Sequence, residues 1–221
     1  MKYIKSLSIM LLVVFLASCE KDNSSSTEPE ALGVETGKYS PASLNSTWKY
    51  EVNQNGNKFE VFSRTTGTET HVGEEWVVTE TSYNGQMDKG FVRYKDGKYY
   101  SFIPDGKTQI VGDFEFLHID ENAEEGDSWD LPTNVKFTNS SETIPTFYKI
   151  TVSEKLDSYE VRGNTYDDVI VMHLNLSVEY FGQQINLANQ KYYYAAEIGV
   201  IKSVIIGSGQ TVTQELIEYT R

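Results

Sequence analysis

Short strand-like runs separated by tight turns constrain the fold of this chain more than any other feature of its sequence. Asn-Gly or Asp-Gly pairs stand at residues 55–56, 84–85, 96–97 and 105–106. Both central residues of a type I′ turn need a positive φ, so each pair predicts a two-residue hairpin. Strands joined by such short turns are antiparallel neighbours, because parallel pairing needs a long crossover.

The segments between these turns alternate between apolar and polar residues, as half-buried strands do. Trp48, Tyr50 and Val52, for example, alternate with Lys49 and Glu51. A period of two with many aromatic and β-branched residues is typical of strands. Further runs of this kind cover residues 58–61, 76–78, 91–94, 98–103, 109–116, 146–154, 166–180, 190–197, 200–206 and 211–219.

The sequence therefore predicts an all-β chain of roughly 10–13 antiparallel strands. We expect this meander to form a lipocalin-like or half-open barrel, and a β-sandwich is the alternative. A length of 221 residues is ample for one core, and a single β-rich domain is expected over residues 39–221. Neither a Gly-rich phosphate loop nor an alternation of strands with helices is present, which argues against a nucleotide-binding α/β fold.

The N-terminal residues have the parts of a secretory signal peptide. Lys2 and Lys5 precede an apolar run over residues 7–17, which small residues follow. This order of a basic, an apolar and a small-residue region is typical of signal peptides. A transmembrane helix needs roughly 20 apolar residues, so the run is too short to be a mature membrane span. We expect residues 1–18 to be removed.

The letters LASC at residues 16–19 resemble the lipobox of bacterial lipoproteins. The resemblance implies cleavage between Ser18 and Cys19, a diacylglyceryl group on the Cys19 thiol, and acylation of the new amine by a fatty acid such as palmitate. Cys19 is the single cysteine of the chain, which excludes a disulfide framework. The expected partner of Cys19 is therefore the membrane. An ordinary signal peptide with a chance cysteine is the alternative.

Residues 19–38 are expected to form the lipidated cysteine and a flexible tether. They are rich in Ser, Glu and turn formers and have no sustained hydrophobic period. In the enterobacterial sorting rule, Asp after the lipidated cysteine retains a lipoprotein in the inner membrane. Glu20 stands there instead, which favours the outer membrane. The acidic, Lys-containing stretch also resembles the surface-export signal of Bacteroidota lipoproteins, so both the periplasmic face and the cell surface stay open.

The charge balance limits the partners of the chain. Its 32 Asp and Glu residues against 19 Lys and Arg residues give a net charge of −13. Because a phosphate backbone is neutralised by clustered Lys and Arg, nucleic acid is not an expected partner.

Four short segments resemble a large set of bacterial β-rich lipoproteins that have no assigned activity. Residues 39–50 (YSPASLNSTWKY) are similar to their YxPLxxGNxWxY motif, with Asn45 for Gly and Ala42 for Leu. Residues 125–129 (EGDSW), 161–170 (VRGNTYDDVI) and 194–202 (YAAEIGVIK) are similar to their GDSW, VxxGTYxDVI and YAxGVGLVK segments. The resemblance implies a β-rich exported domain. The two Trp-bearing segments hint at two related halves, although common turn chemistry before a strand is the favoured explanation.

No arrangement of residues predicts catalysis or a metal site. His71, His118 and His173 are scattered and form no HxxxH or HxH pair, which zinc sites often use. Nucleophile motifs such as GxSxG are missing, so we expect no catalytic residue, no metal and no cofactor. The acidic residues 120–127 match only the start of a calcium loop, and a solvated loop is the favoured interpretation.

Aromatic residues supply the candidate binding positions. The chain has 15 Tyr, 10 Phe and 3 Trp, and exposed rings on strands can stack on sugars or contact a partner. Trp76, Tyr99 and Tyr193 are the candidate ligand-facing aromatics, and ring pairing that stabilises the sheet is the alternative. The predicted function is non-catalytic binding of a small apolar ligand or a glycan. A structural or accessory subunit of an envelope complex is the alternative, and a hydrolase is the third hypothesis.

Replacing Cys19 by Ala tests the lipid anchor. The variant lacks the thiol that would accept the diacylglyceryl group, so labelling with a radioactive fatty acid should give no labelled protein. Unprocessed precursor should accumulate at the same time. Labelling of the variant at the wild-type level would contradict the anchor.

Overall fold

The computed structural model describes residues 32–40, 42–83, 85–107, 110–136, 143–207 and 209–221. The predictions of a signal peptide, of cleavage between Ser18 and Cys19 and of lipidation of Cys19 concern residues outside these ranges. Asn84, the first residue of one predicted turn, also lies outside them.

Twelve strands make up the fold, and each paired neighbour is antiparallel. They are β1 (Thr47–Gln54), β2 (Asn57–His71), β3 (Glu74–Tyr83), β4 (Gln86–Lys95), β5 (Lys98–Ile103), β6 (Phe114–Asp120), β7 (Ser128–Lys136), β8 (Thr143–Val161), β9 (Asn164–Tyr180), β10 (Gln183–Ala195), β11 (Gly199–Gly207) and β12 (Gln210–Thr220). The described ranges contain no helix. The prediction of an all-β, antiparallel chain is confirmed.

The sheet curls into a nearly closed barrel with one unsealed seam. The strand order is β6-β5-β4-β3-β2-β1-β12-β11-β10-β9-β8-β7, so two six-stranded meanders join where β1 pairs with β12. β6 and β7 are consecutive in the chain but stand at the two ends of this order. Within the described residues, a single isolated bridge between Ile110 and Val135 links the two sides of the seam. The expected lipocalin-like or half-open barrel is confirmed, rather than the sandwich.

The interior of the barrel is a packed core. Residues directly opposite each other on paired strands share a face. Tyr50 lies opposite Val61 and Leu216, and Ile150 lies opposite Leu174 on the other side of the barrel. All five are buried. The wall formed by β2 to β6 adds buried polar side chains, which are Ser63, Thr65, Thr81, Ser101 and His118.

The long β8–β9 hairpin folds over the outside of the barrel. Arg162 in its turn places Nη1 2.9 Å from Oε1 of Glu51 on β1, a strand that pairs with neither β8 nor β9. Tyr159 stacks on Tyr193 of β10 with the ring centroids 4.5 Å apart. The hairpin thereby covers apolar side chains on the outer face of the sheet, where Val171 of β9 lies opposite Tyr193 of β10, and both are buried.

One connection and one strand differ from what the sequence predicted. The Asp105-Gly106 pair does not form a two-residue hairpin, because β5 ends at Ile103 and β6 begins only at Phe114. The Asp105 carboxylate accepts the backbone N–H of Gly112 (2.9 Å) between these two strands. β7 was not predicted at all. Trp129, Leu131 and Val135 alternate with polar residues as in the other strands, but Pro132 in the middle of the run weakens the strand signal.

Val72 in the β2–β3 turn gives a stability prediction. Val72 has φ 53° and precedes Gly73 at 79°, and a β-branched side chain is strained in this region. Val72 is also 70% exposed, so packing does not offset the strain. We expect Val72→Asn to raise the free energy of unfolding by about 1 kcal/mol, measured by urea denaturation.

Asp96 provides the matched control for Val72, because it occupies the same position of the β4–β5 turn with φ 53°. Asp96→Val should lower the free energy of unfolding by a similar amount. A loss of stability in Val72→Asn would contradict the assignment of strain to this turn.

Candidate functional site

The segment before β1 crosses one end of the barrel, and we call residues 37–40 and 42–46 the strap. Gly37 lies so close to Tyr94 and Tyr99 that a Cβ atom there would overlap both side chains. Tyr39 donates its backbone N–H to the Tyr99 hydroxyl (2.9 Å), and that hydroxyl donates to the carboxylate of Glu121. Only glycine therefore fits at position 37.

Asp168 of β9 holds the strap in place. Its carboxylate lies 2.8 Å from Lys38 Nζ and accepts the Tyr39 hydroxyl at 2.7 Å. The hydrogen bonds from Lys38 and Tyr39 keep the pKa of Asp168 below its usual range. Burial, together with the hydrogen bond to Asp168, raises the pKa of Tyr39 to about 12. The phenol therefore stays a donor over the physiological pH range.

Two aromatic side chains of β1 secure the loop between β10 and β11. The Trp48 indole donates to the carbonyl of Ile198 (2.7 Å), and the Tyr50 hydroxyl donates to the carbonyl of Val200 (3.1 Å). Gly199 between these carbonyls has φ 96°, a conformation that glycine adopts without a steric penalty.

The four segments that resemble lipoprotein motifs are parts of this framework. Residues 39–50, 161–170 and 194–202 meet at the strap end through the contacts of Tyr39, Asp168 and Trp48. The fourth segment supplies Trp129, whose indole donates across the seam to the carbonyl of Leu117 (2.8 Å). The residues that carry the resemblance hold the barrel together.

A small cavity lies beneath the strap, inside the barrel. Its volume is about 60 Å³, and its lining includes Tyr50, Ser63, Thr79, His118 and Tyr194. Sites for drug-sized ligands span about 300–1,000 Å³. The cavity therefore has room only for molecules of about the size of water.

His118 is the buried histidine of this cavity. Its Nδ1 lies 3.0 Å from the Ser101 hydroxyl, and burial lowers the pKa of His118 to about 3. The imidazole is therefore neutral at pH 7. A serine next to a histidine is a component of nucleophilic catalysis, but Ser101 is buried and a substrate has no room beside it.

The three candidate ligand-facing aromatics lie apart from one another. Trp76 is fully buried and donates its indole N–H to the carbonyl of His71 (3.1 Å). Tyr99 is fully buried under the strap. Tyr193 lies on the outer face of β10, where Tyr159 covers it. The structure does not bring these rings together, and in this arrangement Trp76 and Tyr99 have no surface to offer a glycan.

A groove of about 390 Å³ beside the strap end was missed by sequence reasoning, because its walls come from three distant segments. Its lining includes Val34, Glu35, Glu74, Val92, Arg93 and Lys95. Arg93 is held between the rings of Trp76 and Tyr100, with its Cζ 5.1 and 5.0 Å from their centroids. It also forms ion pairs with Glu74 and Glu115. Charges of both signs line the groove, so it favours neither a cationic nor an anionic ligand.

The acidic loop between β6 and β7 uses its carboxylates internally. Asp120 accepts the backbone N–H of Asn122 (3.0 Å), and Asp127 accepts that of Glu124 (2.9 Å). In the part of the chain that the structure describes, no group of three His, Cys, Asp or Glu side chains is placed to hold a metal ion. The same residues include no helix of the length and apolarity needed to cross a membrane.

Comparison with solved structures shows a shared fold. A candidate lipoprotein of Parabacteroides distasonis ATCC 8503 superimposes with a TM-score of 0.55 at 10% identity, over 84% of this chain and 100% of that one. A candidate exported protein of Bacteroides fragilis NCTC 9343 with a YmcC-like fold gives a TM-score of 0.53 at 10% identity, with coverage of 84% and 100%. By fold, the chain resembles lipoproteins and exported proteins of Bacteroidota.

The hypothetical lipoprotein YmcC of Escherichia coli K12 is a weaker match. It has a TM-score of 0.37 at 8% identity, over 79% of this chain and 88% of that one. No protein-family profile matches the sequence, and no curated protein matches it significantly.

Burial of His118 predicts a pH dependence of stability. An unfolded histidine titrates near about 6.5, whereas the pKa of folded His118 is about 3. Between these values the unfolded chain binds one more proton than the native chain, so stability falls as the pH falls. The contribution is about 1.4 kcal/mol for each pH unit between about 6 and 4.

His118→Gln removes this titration and keeps a partner for the Ser101 hydroxyl. Urea unfolding of both proteins over this pH range should show that the free energy of unfolding depends less steeply on pH in the variant than in the wild type. Equal losses of stability in the two proteins would contradict a neutral, buried His118.

Proposed function

We propose that this chain is a non-catalytic lipoprotein, anchored to the outer membrane through Cys19, whose barrel binds another envelope protein as an accessory subunit. The filled interior carries this proposal. Among the described residues, the cavity beneath the strap measures about 60 Å³, and the walls around it are packed with buried side chains. A carrier of small apolar molecules needs a much larger interior space, so we place the binding surface on the outside of the barrel.

The sequence motif around Cys19 and the descriptions of proteins with a similar fold both support the lipid anchor. The letters LASC with the single Cys19 resemble a lipobox, and proteins of similar fold are described as lipoproteins or exported proteins. Cleavage after Ser18 leaves Cys19 at the start of a tether that leads to the strap. Glu20 after the cysteine favours the outer membrane, with the barrel on its periplasmic or outer side.

The outer surface suits a protein partner better than a glycan. Its exposed large hydrophobic residues are mainly aliphatic, whereas sugar stacking needs aromatic ring faces. They are Val72, Met87, Val111, Phe181, Ile185 and Ile206. The connections that follow β1, β3, β5, β9 and β11 lie at the end of the barrel opposite the strap. All of the exposed hydrophobic residues except Val72 are in or next to these connections. Exposed apolar residues gathered at one end mark an interaction surface.

Native mass spectrometry of the protein extracted from membranes in mild detergent separates a carrier from an accessory subunit. The expected spectrum shows the protein with its covalent lipid and no further small ligand. A retained small molecule, released on denaturation, would contradict the proposed function. The double variant Phe181→Asn with Ile206→Asn should lose co-migrating protein partners, while the surface variant Glu160→Gln should keep them.

A further inference from the structure

The seam between β6 and β7 is closed by side chains and one isolated backbone bridge rather than by a continuous strand ladder. Among the described residues, the hydrogen bonds across it are from the Val111 N–H to the Asn134 carbonyl (2.9 Å) and from the Trp129 indole to the Leu117 carbonyl (2.8 Å). Beneath the seam, Phe114 of β6 lies 5.9 Å from the Tyr148 ring of β8. Side chains therefore cover the interior at this point, although the backbone edges of β6 and β7 form no regular hydrogen-bond ladder.

A proline explains why β7 does not pair with β6. The Asn134 carbonyl points into the seam, and alternate residues of a strand direct their backbone groups to the same side. Asp130 and Pro132 consequently face the seam as well. Pro132 has no N–H to donate, which interrupts the ladder at the middle of β7.

Residues 114–117 at the edge of β6 contain no proline, and the β-bulge of this strand lies just beyond them, at His118. The Leu117 carbonyl points into the seam, and in an antiparallel strand the N–H of a residue points to the same side as its C=O. By alternation, Glu115 also directs its backbone groups there. A strand edge of this kind can accept an extended segment by β-augmentation.

The charge around the seam selects the kind of segment. Residues 114–136, which cover β6, β7 and the loop between them, contain seven acidic residues and one basic residue, Lys136. Two neighbouring bases are already engaged, since Arg93 pairs with Glu115 and Lys98 with Asp120. Lys149 lies opposite Asp130 on β8. The remaining excess of negative charge favours a segment with Lys or Arg side chains.

We infer that an extended, Lys- or Arg-bearing segment of a partner protein adds to the edge of β6 as a further strand. This inference rests on the proposed function, since it names the chemistry of the partner that the accessory subunit binds. The added strand takes the Leu117 carbonyl as an acceptor and displaces the Trp129 indole from it. Trp129 is therefore a reporter for occupation of the seam.

Synthetic peptides test the inference on the mature lipoprotein in detergent. One peptide, of the length of β6, alternates Val with Lys. A second alternates Val with Glu, and a third is the Val-Lys peptide with methylated backbone nitrogens along one edge. Fluorescence anisotropy measures affinity, and the indole N–H signals in ¹⁵N-labelled protein, assigned with Trp129→Phe, locate the site. The Val-Lys peptide should bind and shift the Trp129 signal, and the other two should bind at least about tenfold more weakly.

Charge variants supply the matched control. Glu124→Lys with Asp130→Lys should weaken binding of the Val-Lys peptide about tenfold. Glu160→Lys with Glu179→Lys makes the same charge change on exposed residues away from the seam and should leave binding unchanged. Equal binding of the methylated peptide, or no binding of the Val-Lys peptide, would overturn strand addition. Neither result alters the native mass spectrum, so failure here is distinct from failure of the proposed function.

Discussion

The pairing of β1 with β12 is the contact on which the barrel depends. The other paired strands are neighbours in sequence, whereas this pairing joins the two ends of the domain, with Thr47 opposite Thr220. Closing so long a loop costs chain entropy, and burial of Tyr50 between Val61 and Leu216 offsets it. Without this pairing, two separate meanders would each expose a further edge and half of the core to water.

The position of the seam follows from the same arrangement. Because the first and last strands pair, the only consecutive strands left apart are β6 and β7, and Pro132 keeps them so. Trp48 and Trp129 are each the second residue of the strand that opens a meander. Each indole donates to a backbone carbonyl of another segment. The two halves are thus alike in how they begin, and both indoles fasten the barrel.

Local features were predictable where a residue type permits only a narrow range of backbone shapes. Asn55 and Asp96 adopt the positive φ of a tight turn, as expected from their Gly partners. The Asp105-Gly106 pair has the same letters, yet it starts a longer loop, because the Asp105 carboxylate binds Gly112 across that loop. The roles of Trp76 and Tyr99 were beyond local reasoning. Alternation assigns a ring to one face of a strand. It does not predict which hairpin or strap will cover that face.

The sequence by itself determined that this chain forms antiparallel strands with tight turns, because backbone preference and side-chain alternation act over a few residues. Only the tertiary structure decided which strands would meet, where the barrel would stay unsealed and how much space its interior would keep. These depend on contacts between residues more than a hundred positions apart, such as Lys38 with Asp168 and Trp48 with Ile198. Side chains from these distant segments converge on the described part of the interior and pack it, which is why we propose binding on the outer surface and at the seam.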